Sequence, residues 1–183
     1  MRLVILDRDG VINEDSDDHI RHHDAFHPIA GSLEAIVKLN QAGFSVAVAT
    51  NQSGISRGYF THEDLHAMHD KLTALLEKLG GKIDGIYYCP HHPDDDCHCR
   101  KPKPGLIDDI ASDFPEANLA KTFLVGDSWR DIEAGKARGL KTLLVLTGKG
   151  SIALEKHKHE LGDTSVVKDL AHACEIILKE TQS

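Results

Sequence analysis

Residues 3–13 read LVILDRDGVIN and set two carboxylates, Asp7 and Asp9, one residue apart where an apolar run ends. In extended backbone both side chains project to the same side, and Gly10 then allows a sharp turn. Carboxylates so close repel each other unless a cation lies between them or one keeps a proton, which is an active-site arrangement. On these residues alone an exposed D-x-D turn is an equal alternative. Further candidates follow other apolar runs. FSVAVATN delivers the hydroxyl of Thr50, and FLVGDSWRD delivers Asp127, with Asp131 one helical turn later. Lys101, in CRKPKPG, adds a cation. Together these residues offer a nucleophile, an acid, a metal ligand and donors for a phosphate.

The second concentration of chemistry is CPHHPDDDCHCRKPKPG, residues 89–105, which holds three of the four cysteines. Cys89 with His91, and Cys97 with Cys99, form C-x-H and C-x-C chelating pairs that fit a closed tetrahedral zinc site with three thiolates and one imidazole. His92 and His98 are rival imidazoles, although a histidine between two ligating cysteines has difficulty turning to the same ion. A reactive Cys97/Cys99 pair and an incidental cluster are the other readings. Four protein ligands leave no open position for water, so zinc here is expected to be structural. It would order a loop with little apolar content of its own and hold Arg100 and Lys101, which follow the last ligand directly. Cys174, in LAHACEIIL, reads as a small core residue.

Something must carry these side chains to one place. Apolar runs at 2–6, 44–50, 85–89, 122–126, 142–146 and 165–167 read as strands buried on both faces. Helical stripes alternate with them at 32–42, 61–79, 105–114, 129–138, 151–161 and 169–179. The clearest places Leu65, Met68, Leu72, Leu75, Leu76 and Leu79 on one face behind a Thr61 cap. The alternation predicts an α/β fold with a mainly parallel sheet, in which ligands collect beyond the carboxyl ends of the strands. With 183 residues the expectation is a single domain, 1–183, carrying the zinc-binding loop at 89–101. The net charge of -8 and pI near 5.9 argue against a nucleic-acid partner. The first apolar run meets Asp7 too soon for a signal peptide and no later run approaches a membrane span, so a cytoplasmic protein is expected; a monomer is the separate expectation for its assembly, which no residue pattern carries.

In this order, D-x-D-G, a Thr after the second strand, a downstream Lys and G-D-x-x-x-D resemble the haloacid dehalogenase superfamily of phosphohydrolases, over residues 1 to about 147. More narrowly, DRDGVIN, TNQSGISRGYF, CPHHP and CRKPKPG are similar to the D-glycero-D-manno-heptose 1,7-bisphosphate 7-phosphatases and the histidinol-phosphate phosphatases. The resemblance implies a Rossmann-like three-layer fold. It makes Asp7 the nucleophile that forms an aspartyl-phosphate and Asp9 the general acid and base. Thr50 and Lys101 are then donors to the phosphoryl group. Mg²⁺ is implied at Asp7, the backbone carbonyl of Asp9 and Asp127, and Zn²⁺ at Cys89, His91, Cys97 and Cys99. These roles need Asp7 ionised by a cation and Asp9 protonated near neutrality through burial or neighbouring negative charge.

Relatives in the superfamily often carry a cap domain, but the segments from Gly10 to Phe44 and from Asn51 to Cys89 leave no room for one. Selectivity is therefore expected from loops: residues 13–27, the zinc loop, and NQSGISRG with Asn51, Gln52, Ser53 and Arg57. Ser128 follows the fourth-strand acid. Arg100, and more weakly Arg57, could grip a second phosphate of a small phosphorylated sugar. NEDSDDHIRHH departs from the family pattern, with Asp17 and Asp18 where a glycine and an aromatic are usual. These extra acids keep open a histidinol-phosphate or other small ester as substrate. A non-catalytic, zinc-stabilised interaction domain is the alternative outside enzymes. HEDLH, residues 62–66, matches a metalloprotease pattern but reads as a solvated helix flank. His19, His22, His23 and His27 read as a polar surface loop, and TGKGS, residues 147–151, as a turn beside the site.

Overall fold

Leu3 and Ile5 pack on one side of the first strand and Val4 and Leu6 on the other, and all four are buried. The computed structural model describes residues 1–182. Its strands are β1 (Arg2–Leu6), β2 (Phe44–Asn51), β3 (Gly85–Cys89), β4 (Phe123–Gly126), β5 (Lys141–Val145) and β6 (Ser165–Val167). They form one six-stranded sheet in the order β3-β2-β1-β4-β5-β6, and every pairing is parallel. Chain direction across the sheet reverses between β1 and β4, so the carboxyl ends of these two strands flank the crevice where α/β sheets bind ligands.

The helices are α1 (Ser32–Gln41), α2 (His62–Lys78), α3 (Gly105–Asp113), α4 (Trp129–Lys136), α5 (Gly150–His157) and α6 (Leu170–Gln182). One apolar layer joins Val4, Leu6, Val46 and Val48 to α1, α2 and α6. The other joins Leu3, Ile5, Ala47 and Ala49 to α3 and to Ala134 of α4. The result is the three-layer Rossmann-like arrangement expected of the repeating strand and helix pattern. Between β1 and β2 the chain forms a loop, a short 3-10 turn (His23–Ala25) and α1, and between β2 and β3 it forms α2. No cap is inserted at either place. Among the described residues no helix is long and apolar enough to cross a membrane.

Helix α2 begins at a capping box, in which Asp64 N donates to Thr61 Oγ1 at 3.1 Å and Thr61 N donates to Asp64 Oδ2 at 2.8 Å. Its buried stripe is Leu65, Met68, His69, Leu72 and Leu76. Two details differ from expectation. Leu79 lies past the last turn and is 46% exposed, whereas His69 holds an inner position. Helix α5 ends at His157 instead of continuing to residue 161, and beyond its end the carbonyls of Glu160 and Leu161 accept from Lys136 Nζ. The segment after Gly150 supplies β6 and α6, and Cys174 is buried in α6 as a core residue.

Leu72 is fully buried where α2 meets the sheet. Leu72→Ala is expected to lower the unfolding free energy by about 2–5 kcal/mol, read from urea denaturation. A loss below about 1 kcal/mol would mean that α2 is not packed as described.

Candidate active site

Three segments distant in sequence meet at one buried ammonium. Lys101 is 3% exposed, and its Nζ donates to Ala49 O at 2.6 Å, Asp131 Oδ1 at 2.5 Å and Asp7 Oδ1 at 3.1 Å. An ammonium has three protons, so each has its acceptor. Burial opposes the charge, but Asp131 and Asp7 outweigh it and hold the lysine protonated well above its ordinary range. The lysine's backbone is clamped as well: Lys101 N donates to Asn51 Oδ1 and Asn51 Nδ2 donates to Lys101 O, both at 3.1 Å.

Asp7 leaves β1 at the sheet's carboxyl edge and Asp127 leaves β4 beside it. Oxygens of Asp7, Asp127 and Asp131 lie within 4.8 Å of one another. Burial and the neighbouring carboxylates Asp131 and Asp127 push Asp7 well up, while Lys101 pulls it down. Burial and Asp131 push Asp127 up to about 7. Three carboxylates against one ammonium leave this cluster two negative charges in excess, which suits a divalent cation with oxygen ligands. Asp131 is already engaged by Lys101 and by Ser128, whose N–H and Oγ donate to Asp131 Oδ2 at 3.1 and 3.0 Å. That leaves Asp7 and Asp127 as the carboxylates with capacity for an ion.

Asp127 is seated by two glycines. A Cβ on Gly10 would lie 2.1 Å from Asp127 Oδ2, and a Cβ on Gly148 would lie 2.2 Å from the same oxygen. Both glycines have positive φ, +83° and +56°, which side chains disfavour. The carboxylate nests there and accepts from Lys149 N at 2.9 Å, while Thr147 Oγ1 donates to Gly10 O at 2.6 Å. Of TGKGS, residues 147–149 therefore form a turn beside the site, with Lys149 on the cavity wall, and Gly150 and Ser151 open α5.

Asp9 sits in a different environment. Its Oδ1 accepts from Arg8 Nε at 3.0 Å, Arg8 Nη2 at 2.8 Å and Asn13 Nδ2 at 2.8 Å, and its Oδ2 accepts from Gln52 Nε2 at 3.0 Å. Burial raises its proton affinity, but Arg8, Asn13 and Gln52 overcome that and bring it below the ordinary carboxylate range. Burial or neighbouring negative charge was expected to keep Asp9 protonated, whereas the guanidinium next to it works in the opposite direction. Arg8 is itself fully buried, over Phe26 at 5.5 Å and against His69 Nε2 at 3.2 Å. Burial and Arg8 hold His69 neutral, with its proton affinity lowered to about 3.

The second cluster brings together Cys89, His91, Cys97 and Cys99, all free thiols and one imidazole, with ligand atoms within 4.8 Å. Sγ atoms are separated by 3.0 Å (Cys89 and Cys99), 3.6 Å (Cys89 and Cys97) and 3.7 Å (Cys97 and Cys99). His91 Nδ1 lies 3.4 Å from Cys89 Sγ and 3.2 Å from Cys99 Sγ. A tetrahedron built on Zn–S bonds of about 2.3 Å has edges of about 3.8 Å, so the donor set fits a structural zinc. His92 faces elsewhere, accepting from Asp94 N at 3.2 Å.

Residues 98–173 match the HAD-hydrolase-like family. The chain is 51% identical over 181 residues to a D-glycero-beta-D-manno-heptose-1,7-bisphosphate 7-phosphatase of Neisseria meningitidis serogroup A, covering 98% of this chain and 96% of the relative. It is 49% identical to the enzyme of that name from Pseudomonas aeruginosa, covering 97% and 98%. The crystal structure of D,D-heptose 1,7-bisphosphate phosphatase from B. bronchiseptica, complexed with magnesium and phosphate, superposes with a TM-score of 0.94 at 46% identity over 98% of this chain and 99% of that one. The chain belongs to the haloacid dehalogenase-like phosphatases.

In this phosphatase the cavity beyond the strand ends is lined by Asp7, Asp9, Thr50, Asn51, Lys101 and Asp127, together with Ser53, Arg100 and Ser128. Two sequence candidates point elsewhere. Gln52 is buried behind Asp9 and Thr50, donating to Thr50 Oγ1 at 2.9 Å, and Arg57 is exposed and donates to Ser53 Oγ at 3.3 Å outside the cavity wall. Lys101 lies at the cavity wall with its three protons directed to Ala49, Asp7 and Asp131. Asp15, His19, Arg130 and Lys149 also line the cavity and were not singled out as site residues, and Asp17, one of the two extra acids noted in the sequence, lines it too. Arg8 and His69 were missed altogether. The one signal for His69 was its place among Leu65, Met68 and Leu72 on the inner face of α2. HEDLH is the solvent flank of that helix, where His62 Nδ1 pairs with Tyr88 OH at 2.9 Å. His22 and His23 lie with Asp24 on the surface turn.

His69 has a proton affinity lowered to about 3 in the fold, against about 6.5 when unfolded. Between these values the unfolded chain binds a proton that the native chain does not, so this residue's contribution to stability falls as pH drops. Relative to His69→Leu, wild type is expected to lose up to ~1.4 kcal/mol per pH unit between pH 6 and pH 4, measured by denaturant titration at each pH. Parallel pH profiles for the two proteins would show that His69 titrates in the folded state.

Proposed function

We propose that the protein removes the 7-phosphate of D-glycero-β-D-manno-heptose 1,7-bisphosphate in the cytoplasm, on the route to lipopolysaccharide heptose, through an aspartyl-phosphate on Asp7. What carries this reading is the convergence of Asp7, Asp127 and Lys101 on one open cavity, in a chain that matches relatives of that name over nearly its whole length. Asp7 Oδ1 accepts from Arg8 N at 2.8 Å and from Lys101, which leaves Oδ2 as the oxygen to attack phosphorus. As that bond forms, the bond from phosphorus to the sugar oxygen breaks, and Asp9 gives the departing oxygen its proton. Negative charge on the incoming phosphoryl group raises the proton affinity of Asp9, offsetting the pull of Arg8. Asp9, now a carboxylate, takes a proton from the water that attacks the phosphoaspartate, which frees Asp7 and inorganic phosphate. Because Gln52 donates to Thr50 Oγ1, the Thr50 hydroxyl proton is free to turn to a phosphoryl oxygen.

A magnesium ion held by Asp7, Asp127 and the backbone carbonyl of Asp9 would neutralise charge on the transferring group and keep Asp7 ionised. Zinc at Cys89, His91, Cys97 and Cys99 would fix the loop that ends in Arg100 and Lys101. Arg100 supports a bisphosphate over a monophosphate. Its Nη1 is buried without a partner, and burial and the nearby Arg130 lower its proton affinity, so an anion between the two guanidiniums would relieve both. Asp15 and Asp17, also on the cavity wall, favour the second reading, a cationic ester such as histidinol phosphate. Asp15 is partly neutralised by Lys149 Nζ at 3.7 Å.

The deciding experiment compares kcat/KM for both anomers of the heptose bisphosphate with that for histidinol phosphate, with magnesium present. One heptose anomer is expected to lead by about 10²-fold or more, and preference for histidinol phosphate would overturn the assignment. Asp7→Asn is expected to leave almost no turnover, and substantial residual activity would exclude the covalent route. Gently purified protein is expected to carry near-stoichiometric zinc by elemental analysis, with Cys99→Ala losing both the metal and thermal stability. Absence of zinc from the wild type would reject the site.

A further inference from the structure

Arg8 is the largest fully buried side chain, and it does not line the cavity. A buried guanidinium is costly unless every face of it is used. Here Nε and Nη2 both serve Asp9 Oδ1, the ring of Phe26 covers one face, and Nη1 points away from the site to α2. There it meets His69 Nε2 at 3.2 Å and Met68 Sδ at 3.6 Å. A thioether is a weak acceptor, so His69 is the partner that gives Nη1 a reason to lie there. With Nε2 accepting from Arg8, the ring proton sits on Nδ1.

We infer that His69 is a positioning residue for the reaction: through Arg8 it fixes the carboxylate of Asp9 so that Oδ2 faces the departing oxygen. This rests on the reading of Asp9 as the general acid. Asp9 stands on a loop just past β1, where a carboxylate on its own could turn about its side-chain torsions. Three donors saturate Oδ1, and Gln52 is the protein donor on Oδ2. Asn13 and Gln52 come from loops, whereas His69 stands on a 17-residue helix anchored by its buried stripe. The planar fork of Arg8 carries that rigid reference across to Asp9. Without an acceptor at position 69 Nη1 loses the contact that fixes the tilt of the guanidinium plane, and Asp9 loses the register that general-acid catalysis needs.

The test uses leaving-group dependence, because kcat/KM reports steps through cleavage of the ester and an aryl oxide departs without needing a proton. Wild type, His69→Leu, His69→Gln, Arg8→Lys and Asp9→Asn are compared on heptose 1,7-bisphosphate, an alkyl ester, and on p-nitrophenyl phosphate. His69→Leu is expected to lose roughly tenfold or more on the alkyl ester, with a much smaller loss on the aryl ester. His69→Gln, which places an acceptor near the position of Nε2, is expected to restore most of the difference. Equal losses on both esters, or no loss on either, would overturn the inference. Asp9→Asn serves as the reference: if it shows no alkyl-specific loss, the general-acid reading itself has failed. Thermal melting accompanies each variant, and if His69→Leu does not fold, His69→Met and Arg8→Lys carry the same comparison.

Discussion

The ion cluster around Lys101 is the constraint on which the rest of the molecule depends. Its ammonium ties the end of β2, the acid after β1 and the first turn of α4 into one unit. Taking such a charge out of water costs several kcal/mol, which is recovered only when geometry is good and every proton is accepted. Both conditions hold here, so the three segments cannot drift independently without leaving a buried charge exposed to apolar surroundings. The loop of Cys89, His91, Cys97 and Cys99 delivers the lysine from one side and Asn51 clamps its peptide from the other. Order in that loop thus passes directly to Asp7.

Asp7 and Asp9 are neighbours of the same chemical type with opposite electrostatics. One lies among like charges and is driven towards the neutral form, while the other lies against a guanidinium and two amides and is driven towards the ionised form. The difference comes from which way each side chain turns from the strand end. Asp7 turns towards β4 and its acids, and Asp9 towards the buried arginine beside it. An acidic protein of net charge -8 meets an anionic ester through local cations on the cavity wall, Arg100, Arg130, Lys101 and Lys149, and not through its overall field.

Much of this architecture was readable from the chain because parallel strands buried on both faces leave unbroken apolar runs, and because such sheets present their chemistry at strand ends. Asp7, Thr50 and Asp127 were found by that rule. That Cys89, His91, Cys97 and Cys99 could come together was readable from their spacing, with His92 and His98 as rivals, since short chelating bites constrain geometry locally. Arg8 was not readable: an arginine between two aspartates looks like a solvated charge, and only the tertiary fold lays Phe26, Met68 and His69 over it. Lys101 was placed correctly, but its saturation by Ala49, Asp7 and Asp131 depends on three segments whose relative positions no spacing encodes. The same holds for Gln52, which its loop turns inward behind Asp9.

The opposed backbones of Gly10 and Gly148 leave Asp127 a seat with no spare volume. Any enlargement there must displace the carboxylate, whichever residue is chosen. Attempts to broaden the repertoire of accepted esters by laboratory selection should therefore hold these two positions constant. Diversity belongs on exposed loop positions such as Asp17, Asp18, Ser56 and Arg57, where added bulk can reshape the entrance while the seat stays intact.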